Sequence, residues 1–335
     1  MDLSEKGRIK WQHALALGKK GEYREAERQL REALEDEPEH PLLKSSLARM
    51  YLRQNRLREA RILSESVLSV NPEYPQALYV LGEIHVHEDD LEEALQYFRQ
   101  AAQKDHRPYL IHSILKTLRR LGRYEEALET VESALIRERE NPRLLKEKAL
   151  VLDRMKRMDE ALRAYERLQE LEPDDAYITR AIYNLKSINR PEVEVISELQ
   201  KVMALPSRRD NPQLHGFLGE KLKKAGRLGE AAAEYGQARE LDPDNVYFLK
   251  QEGFCRYRLK EYPEAIHLLG EAFRKEPTDF RVKTTLSKLY SITCDTDGYI
   301  SLLEEVLAEH PDNVKLMGTL KGLKKKRGLK EDHNA

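Results

Sequence analysis

Between Pro212 and Asn245, Leu214, Phe217, Leu218 and Leu222 recur at three- and four-residue intervals. After a break at Gly226, so do Leu228, Ala231, Ala232, Tyr235 and Ala238. That spacing places each set on one face of an α-helix. Asp242-Pro243 closes the second run, because proline has no backbone N–H to continue a helix. The pattern predicts two antiparallel helices, and Gly219, Ala231 and Ala238 leave room for a close approach between them. One such hairpin cannot cover its own apolar face, so it needs further copies stacked on either side.

The copies are present. Nine fit the pattern, at 7–40, 41–74, 75–107, 108–141, 142–175, 176–209, 212–245, 246–279 and 280–313, with a period of 34 residues. A small residue recurs in the second helix as Ala26, Ala60, Ala94, Ala127, Ala161, Ala231 and Ala265. Another recurs in the first helix as Ala14, Ala48, Gly82, Ala149, Gly219 and Gly253. Pro38, Pro72, Pro173, Pro243, Pro277 and Pro311 close six copies.

The period, the helix–turn–helix unit and these positions resemble the tetratricopeptide repeat, over about nine-tenths of the chain. The resemblance implies an all-α α-solenoid, a right-handed superhelix of antiparallel helix pairs whose first helices line a concave face. It also implies a protein that binds other proteins and performs no catalysis. The expected organisation is repeats one to six over 7–209 and repeats seven to nine over 212–313. A capping helix over 314–328 and a disordered tail over 329–335 follow, and residues 1–6 form a frayed lead-in.

Two copies depart from the pattern. In the sixth, Val195 replaces the second-helix alanine, Tyr183 replaces the first-helix small residue, and Glu192 stands where Tyr or Leu usually packs. In the ninth, Tyr299 replaces the alanine. Overfilling a close contact costs about 1–3 kcal/mol unless the backbone moves, so wider helix spacing is expected at both. The polar segment Ser207–Asn211 marks the sixth–seventh junction as a place for a bend. In the final helix, Leu316, Met317, Leu320 and Leu323 form an apolar stripe that can close the stack, with Lys321 and Lys324–Arg327 outward.

Composition narrows the function. A formal net charge of −1 creates no global field for nucleic acid or anionic lipid. Cys255 and Cys294 are too few for a disulfide or zinc framework, and read as small buried or half-buried side chains in a reducing compartment. No apolar run has membrane-spanning length and the N-terminal segment lacks a signal-peptide core, so a cytoplasmic protein is expected.

The resemblance also selects groove positions: the second, fifth, ninth, twelfth and thirteenth residues of each repeat. In copies four to six these include Tyr109, His112, Lys116, Arg119, Arg120, Arg143, Lys146, Arg154, Tyr177, Arg180 and Asn184, with Asp153 as the single carboxylate. Copy two adds Arg49 and Arg53, and copy three Tyr79, Glu83 and His87. Such a groove suits an acidic partner segment, through charge-assisted hydrogen bonds and stacking. In later copies Tyr247, Phe254 and Tyr257 form a secondary aromatic patch if these positions face the groove, with packing of Phe254 between helices as the alternative, and Trp11 is either a groove anchor or a terminal packing residue. Some family members clamp a chaperone's C-terminal carboxylate with Lys and Asn. Arg180 and Asn184 imitate two members of that clamp, but Phe217, Tyr247 and Gln251 occupy the other places and leave it incomplete.

No phosphate loop, dinucleotide fingerprint or nucleophile elbow occurs. His85, His87 and His112 make a poor metal set, because histidines two apart on a helix point to different sides. No cofactor and no metal are expected. The leading expectation is a non-enzymatic scaffold or adaptor for an acidic protein segment. Polyanion binding through the basic groove and the lysine-rich end, and self-association through terminal apolar faces, stay as alternatives.

Overall fold

The computed structural model describes residues 3–105 and 107–328; the expected tail at 329–335 lies outside them. Among the described residues there are nineteen α-helices and no strand. They group into two compact units, Met1–Glu172 and Pro173–Ala335. Each is an α-solenoid of antiparallel helix pairs.

In the first unit the pairs are α1 (Glu5–Lys20) with α2 (Tyr23–Asp36), α3 (Pro41–Arg53) with α4 (Leu57–Val70), and α5 (Pro75–His87) with α6 (Leu91–Lys104). α7 (Pro108–Arg120) with α8 (Tyr124–Arg137), and α9 (Pro142–Arg154) with α10 (Met158–Leu171), complete it. In the second unit they are α11 (Ala176–Asn189) with α12 (Glu192–Met203), and α13 (Pro212–Lys224) with α14 (Leu228–Leu241). α15 (Val246–Arg258) with α16 (Tyr262–Lys275), and α17 (Phe280–Ile292) with α18 (Thr296–Glu309), follow, and α19 (Val314–Lys326) comes last.

The repeating sequence features set these boundaries. Proline occupies the first turn of α3, α5, α7, α9 and α13, where its missing N–H leaves no bond unmade. Within eight pairs the turn places one residue in the left-handed region: Gly21, Asn55, Asp89, Gly122, Lys156, Gly226, Lys260 and Cys294. The sixth pair turns differently. Pro191 disfavours helical backbone at Arg190, which is extended at φ −129°, and α12 then starts directly after the proline.

The small residues do what their recurrence predicts. Ala26, Ala60, Ala94, Ala127, Ala161, Ala231 and Ala265 are all fully buried. At Gly82 an added Cβ would stand 2.5 Å from the ring of Phe98, so only glycine admits that fully buried aromatic. Burying one large apolar side chain of this kind contributes about 1.5–3 kcal/mol.

In the two irregular pairs, α11/α12 and α17/α18, the backbones run close over a shorter stretch than in α13/α14. Val195 and Tyr183 are nonetheless buried, and Tyr299 stacks on Tyr290 with centroids 5.1 Å apart. Glu192 faces Lys221, whose Nζ lies 3.6 Å from its carboxylate and donates to Ser187 Oγ at 2.7 Å. Burial pulls the Lys221 amine below its ordinary pKa, with Glu192 opposing the shift. Ser207–Asn211 is held within the second unit: Ser207 Oγ donates to Asp174 at 2.7 Å, and Arg208 donates to the Pro173 carbonyl.

Two expectations need correction. The lead-in is ordered from at least Ser4, whose Oγ caps α1 by accepting from Gly7 N while donating to Glu37 at 2.6 Å. Cys294 is exposed, because it occupies the left-handed turn position before α18; Cys255 is buried. At the far end Leu316 is buried in the core cluster that includes Leu302 and Leu303, and partly buried Leu320 and Leu323 pack against that cluster.

Candidate functional site

In the first unit, the first helices of four successive pairs present equivalent positions to one half-open cavity of about 440 Å³. α1 contributes Trp11 and Leu15, α3 contributes Leu42, Ser45, Ser46, Arg49 and Arg53, and α5 contributes Gln76, Tyr79 and Val80. Arg107 and Tyr109 close it from the start of α7. The indole of Trp11 is fixed by its N–H, which donates to Ser46 Oγ at 2.9 Å. Tyr79 meets Tyr109 edge-on with centroids 4.9 Å apart, and the Arg107 guanidinium lies 5.1 Å over the Tyr109 ring. Burial, with the Glu83 carboxylate nearby, pushes the Tyr79 hydroxyl up to about 12. Burial likewise holds Arg49 below its ordinary pKa.

Tyr109 also lines a second cavity, of about 350 Å³, with His112, Arg143, Leu144, Lys146, Glu147 and Leu150. Glu147 decides the charge balance here. It is only 5% exposed, and its oxygens lie 3.1 Å from His112 Nδ1 and 3.3 Å from Arg119 Nε. Two basic side chains of the predicted set therefore already face an acid, on a position of the repeat not counted as facing the groove. Arg120 is turned away to Asp89, 2.7 Å distant at the preceding repeat's turn. Lys116, Arg143 and Arg154 are exposed, and none has a carboxylate within 4 Å among the described residues. Lys146 is half-buried beside Glu147 in the second cavity.

Tyr177, Arg180 and Asn184, the remaining predicted groove residues, lie on α11 in the second unit and are exposed. The Arg180 guanidinium sits 5.6 Å over the ring of Phe217. The three aromatic residues of the later copies do not form one exposed patch. Phe254 is 9% exposed and packs with Ala265, Leu269, Phe273 and Leu289, with Arg281 4.6 Å over its ring. It is a core residue, because the helix turns this position toward α16 and α17. Tyr257 is half-buried near Tyr262, while Tyr247 is 44% exposed and edge-on to Tyr235 and Phe248.

The repeat pattern marks only part of the cavity formed by α1, α3, α5 and the start of α7. Arg49, Arg53, Tyr79 and Trp11 occupy the flagged groove positions, whereas Val80 and Ser46 come from the sixth position. The same one-in-34 recurrence marks these positions in the first four pairs. Among the described residues no group of three His, Cys, Asp or Glu side chains is placed to hold a metal ion, and no helix is long and apolar enough to cross a membrane.

Comparison with known proteins agrees with the repeat geometry. Two models described as Tetratricopeptide repeat match residues 12–67 with 114–176, and residues 222–289. Together they cover more than half of the chain. The chain belongs to the tetratricopeptide-repeat family. A model for Anaphase-promoting complex, cyclosome, subunit 3 also matches residues 53–134. Among curated relatives, Cellulose synthase operon protein C of Pseudomonas fluorescens (strain SBW25) is 24% identical over 89% of this chain and 22% of its own length. DnaJ homolog subfamily C member 7 homolog of Schizosaccharomyces pombe is 27% identical over 72% of this chain and 47% of its own. This tetratricopeptide-repeat chain thus spans less than half the length of either relative. A solved tetratricopeptide repeat protein from Parabacteroides merdae ATCC 43184 is 18% identical, with a TM-score of 0.48 over 75% of this chain and 99% of that one. As a tetratricopeptide-repeat array, the protein is a protein-interaction scaffold.

Proposed function

We propose that this scaffold, without catalysing a reaction, takes an extended acidic segment of another protein along the first-helix face of its first unit. One observation carries the reading. Arg49, Arg53, Lys116, Arg143 and Arg154 lie on the first helices of that unit with no carboxylate within 4 Å among the described residues, and Arg49, Arg53 and Arg143 line two adjoining cavities. Elsewhere in the unit several arginines are matched, Arg56 with Glu27, Arg61 with Glu88, and Arg123 with Glu92. Cations left without internal acids are available to an incoming carboxylate, and aromatic side chains between them supply flat apolar contact.

The test compares the whole chain with its Lys116→Glu/Arg143→Glu variant on an array of peptides tiling a bacterial and a yeast proteome, at low and high salt. Acidic peptides should dominate the wild-type signal and fade with added salt, since exposed charges are screened. The variant should hold them more weakly by roughly two- to tenfold, the scale of one or two exposed ion pairs. Retention of neutral or basic peptides, or a signal indifferent to salt, would remove the acidic-segment reading and leave the scaffold.

A further inference from the structure

Resting on that acidic-segment reading, we propose a specific subsite: Arg49 and Arg53, with Trp11, Tyr79 and Tyr109, recognise a carboxylate side chain adjacent to a large apolar residue on the partner segment. Arg49 and Arg53 are four residues apart on α3, hence on one helix face, and both open into the same cavity. Neither has a carboxylate within 4 Å among the described residues. Arg49 is partly buried near Tyr79, Tyr109 and two further arginines, Arg53 and Arg107. Burial works against its charge first, and the two arginines add to that. This sets it apart from its neighbours, because Arg107 is bonded to Asp105, and Arg119 faces Glu147. The acid on the facing helix, Glu83, accepts from Ser113 Oγ at 3.3 Å and lies beside the Tyr79 hydroxyl.

A half-desolvated guanidinium with no acid is an unfavourable arrangement that a ligand carboxylate relieves. The planar fork of arginine matches a carboxylate with two parallel hydrogen bonds, and the aromatic walls shield part of the site from solvent. Those walls define the second half of the recognition. The face of the pinned Trp11 indole, with Leu15, Leu42 and Val80, is apolar and reached from the same opening, in a cavity of about 440 Å³. Burying a large side chain there gains about 25 cal/mol per Å² of apolar area. The cavity is open, and Tyr109 also borders the next one along the face, so a chain can continue past it. That continuity favours a protein segment over a free small anion.

The experiment selects a display library of random dodecapeptides on the whole wild-type chain and on Arg49→Gln/Arg53→Gln, after both show equal helicity. The position is read out through tryptophan emission, since the sequence holds a single Trp, Trp11, on the wall of the site. Wild type should enrich peptides with Asp or Glu beside an aromatic or large aliphatic residue. Binding of a synthesised winner should shift Trp11 emission. The double variant should weaken it by about ten- to a hundredfold, the loss expected for charge-assisted bonds. Arg49→Lys, which keeps the charge but not the fork, should weaken it by a smaller factor. If acidic peptides are enriched but bind the double variant equally, or leave Trp11 unchanged, this subsite is wrong while the acidic-groove reading stands. If no acidic peptide is enriched, both fall. Stronger displacement by a phosphoserine twin or a single-stranded oligonucleotide than by the carboxylate peptide overturns the assignment of the ligand.

Discussion

The first-helix faces of the two units use the same repeat positions for different ends. In the second unit, Lys223 donates to Gln251 at 2.6 Å, Lys250 bridges Glu276 and Asp279 at 2.7 and 3.0 Å, and Lys224 pairs with Glu220 at 3.0 Å. Arg281 lies over the buried ring of Phe254. These side chains are tied into the unit itself, whereas Arg180, Arg258 and Lys288 of the same unit have no carboxylate within 4 Å among the described residues. In the first unit, the corresponding side chains at Arg49, Arg53, Lys116 and Arg143 are left without acids, and two cavities open among them. The contrast shows that a cation at a groove position says little alone. What matters is whether a neighbouring repeat carries an acid within reach of it.

The sharpest way to break this comparison is at Phe254. As a core residue, Phe254→Ala should cost the second unit about 3–5 kcal/mol, read as a lowered denaturant midpoint. Tyr247→Ala, at a half-exposed ring, should cost much less. A loss at Phe254 below about 1 kcal/mol would return that ring to the surface and restore an aromatic patch in the second unit.

A smaller effect is expected at Glu147. Glu147→Gln leaves the Arg119 guanidinium without its acid and should destabilise the first unit by about 1–3 kcal/mol, toward the lower end because Arg119 is partly solvated. The same change makes the face more cationic, so an acidic peptide that binds wild type should bind the variant more tightly in a titration at low salt. Unchanged binding would mean that the charge balance of the second cavity does not govern its affinity.

The smallest effect is a pH dependence confined to the second unit. His215 Nδ1 lies 2.7 Å from Glu234 and Nε2 lies 2.7 Å from the Arg209 carbonyl. The Glu234 carboxylate, helped by that carbonyl and opposed by burial, raises the imidazole above its ordinary 6.5. A base with a raised folded pKa contributes stability that is complete below its unfolded pKa and is lost as pH rises through the folded one. Amide exchange in α13 and α14 should therefore accelerate as pH climbs from below 6.5 past that value, after correction for intrinsic exchange. His215→Gln should flatten the trend, and an unchanged trend would assign it to another group.

The repeats were legible because their signals are local and redundant. Apolar spacing, proline at helix starts and a small residue at the close contact each recur many times, so Ala26, Ala94 and Ala231 announce the same buried environment independently. Glu192 was legible as an anomaly but not as half of a pair, since Lys221 belongs to the next repeat and carries no pattern of its own. Lys156, Lys260 and Cys294 at left-handed turns were not legible at all, because the turn geometry is imposed by the packed helices and not preferred by those residues.

By itself, then, the sequence determined the helix pairs, their period and the faces that meet in the core. Burial of apolar side chains is large in free energy and is encoded by spacing within a few residues. Only the tertiary structure decided which cations of the groove have internal acids. Those acids come from neighbouring repeats: Arg120 meets Asp89 31 residues away, and Arg119 meets the buried Glu147 on the following first helix. Ion pairs of this sort contribute only about 0–1 kcal/mol at exposed positions, and they depend on the reach and rotamers of long side chains. No periodic pattern specifies them, and they separate Arg49 and Arg53 from the arginines around them.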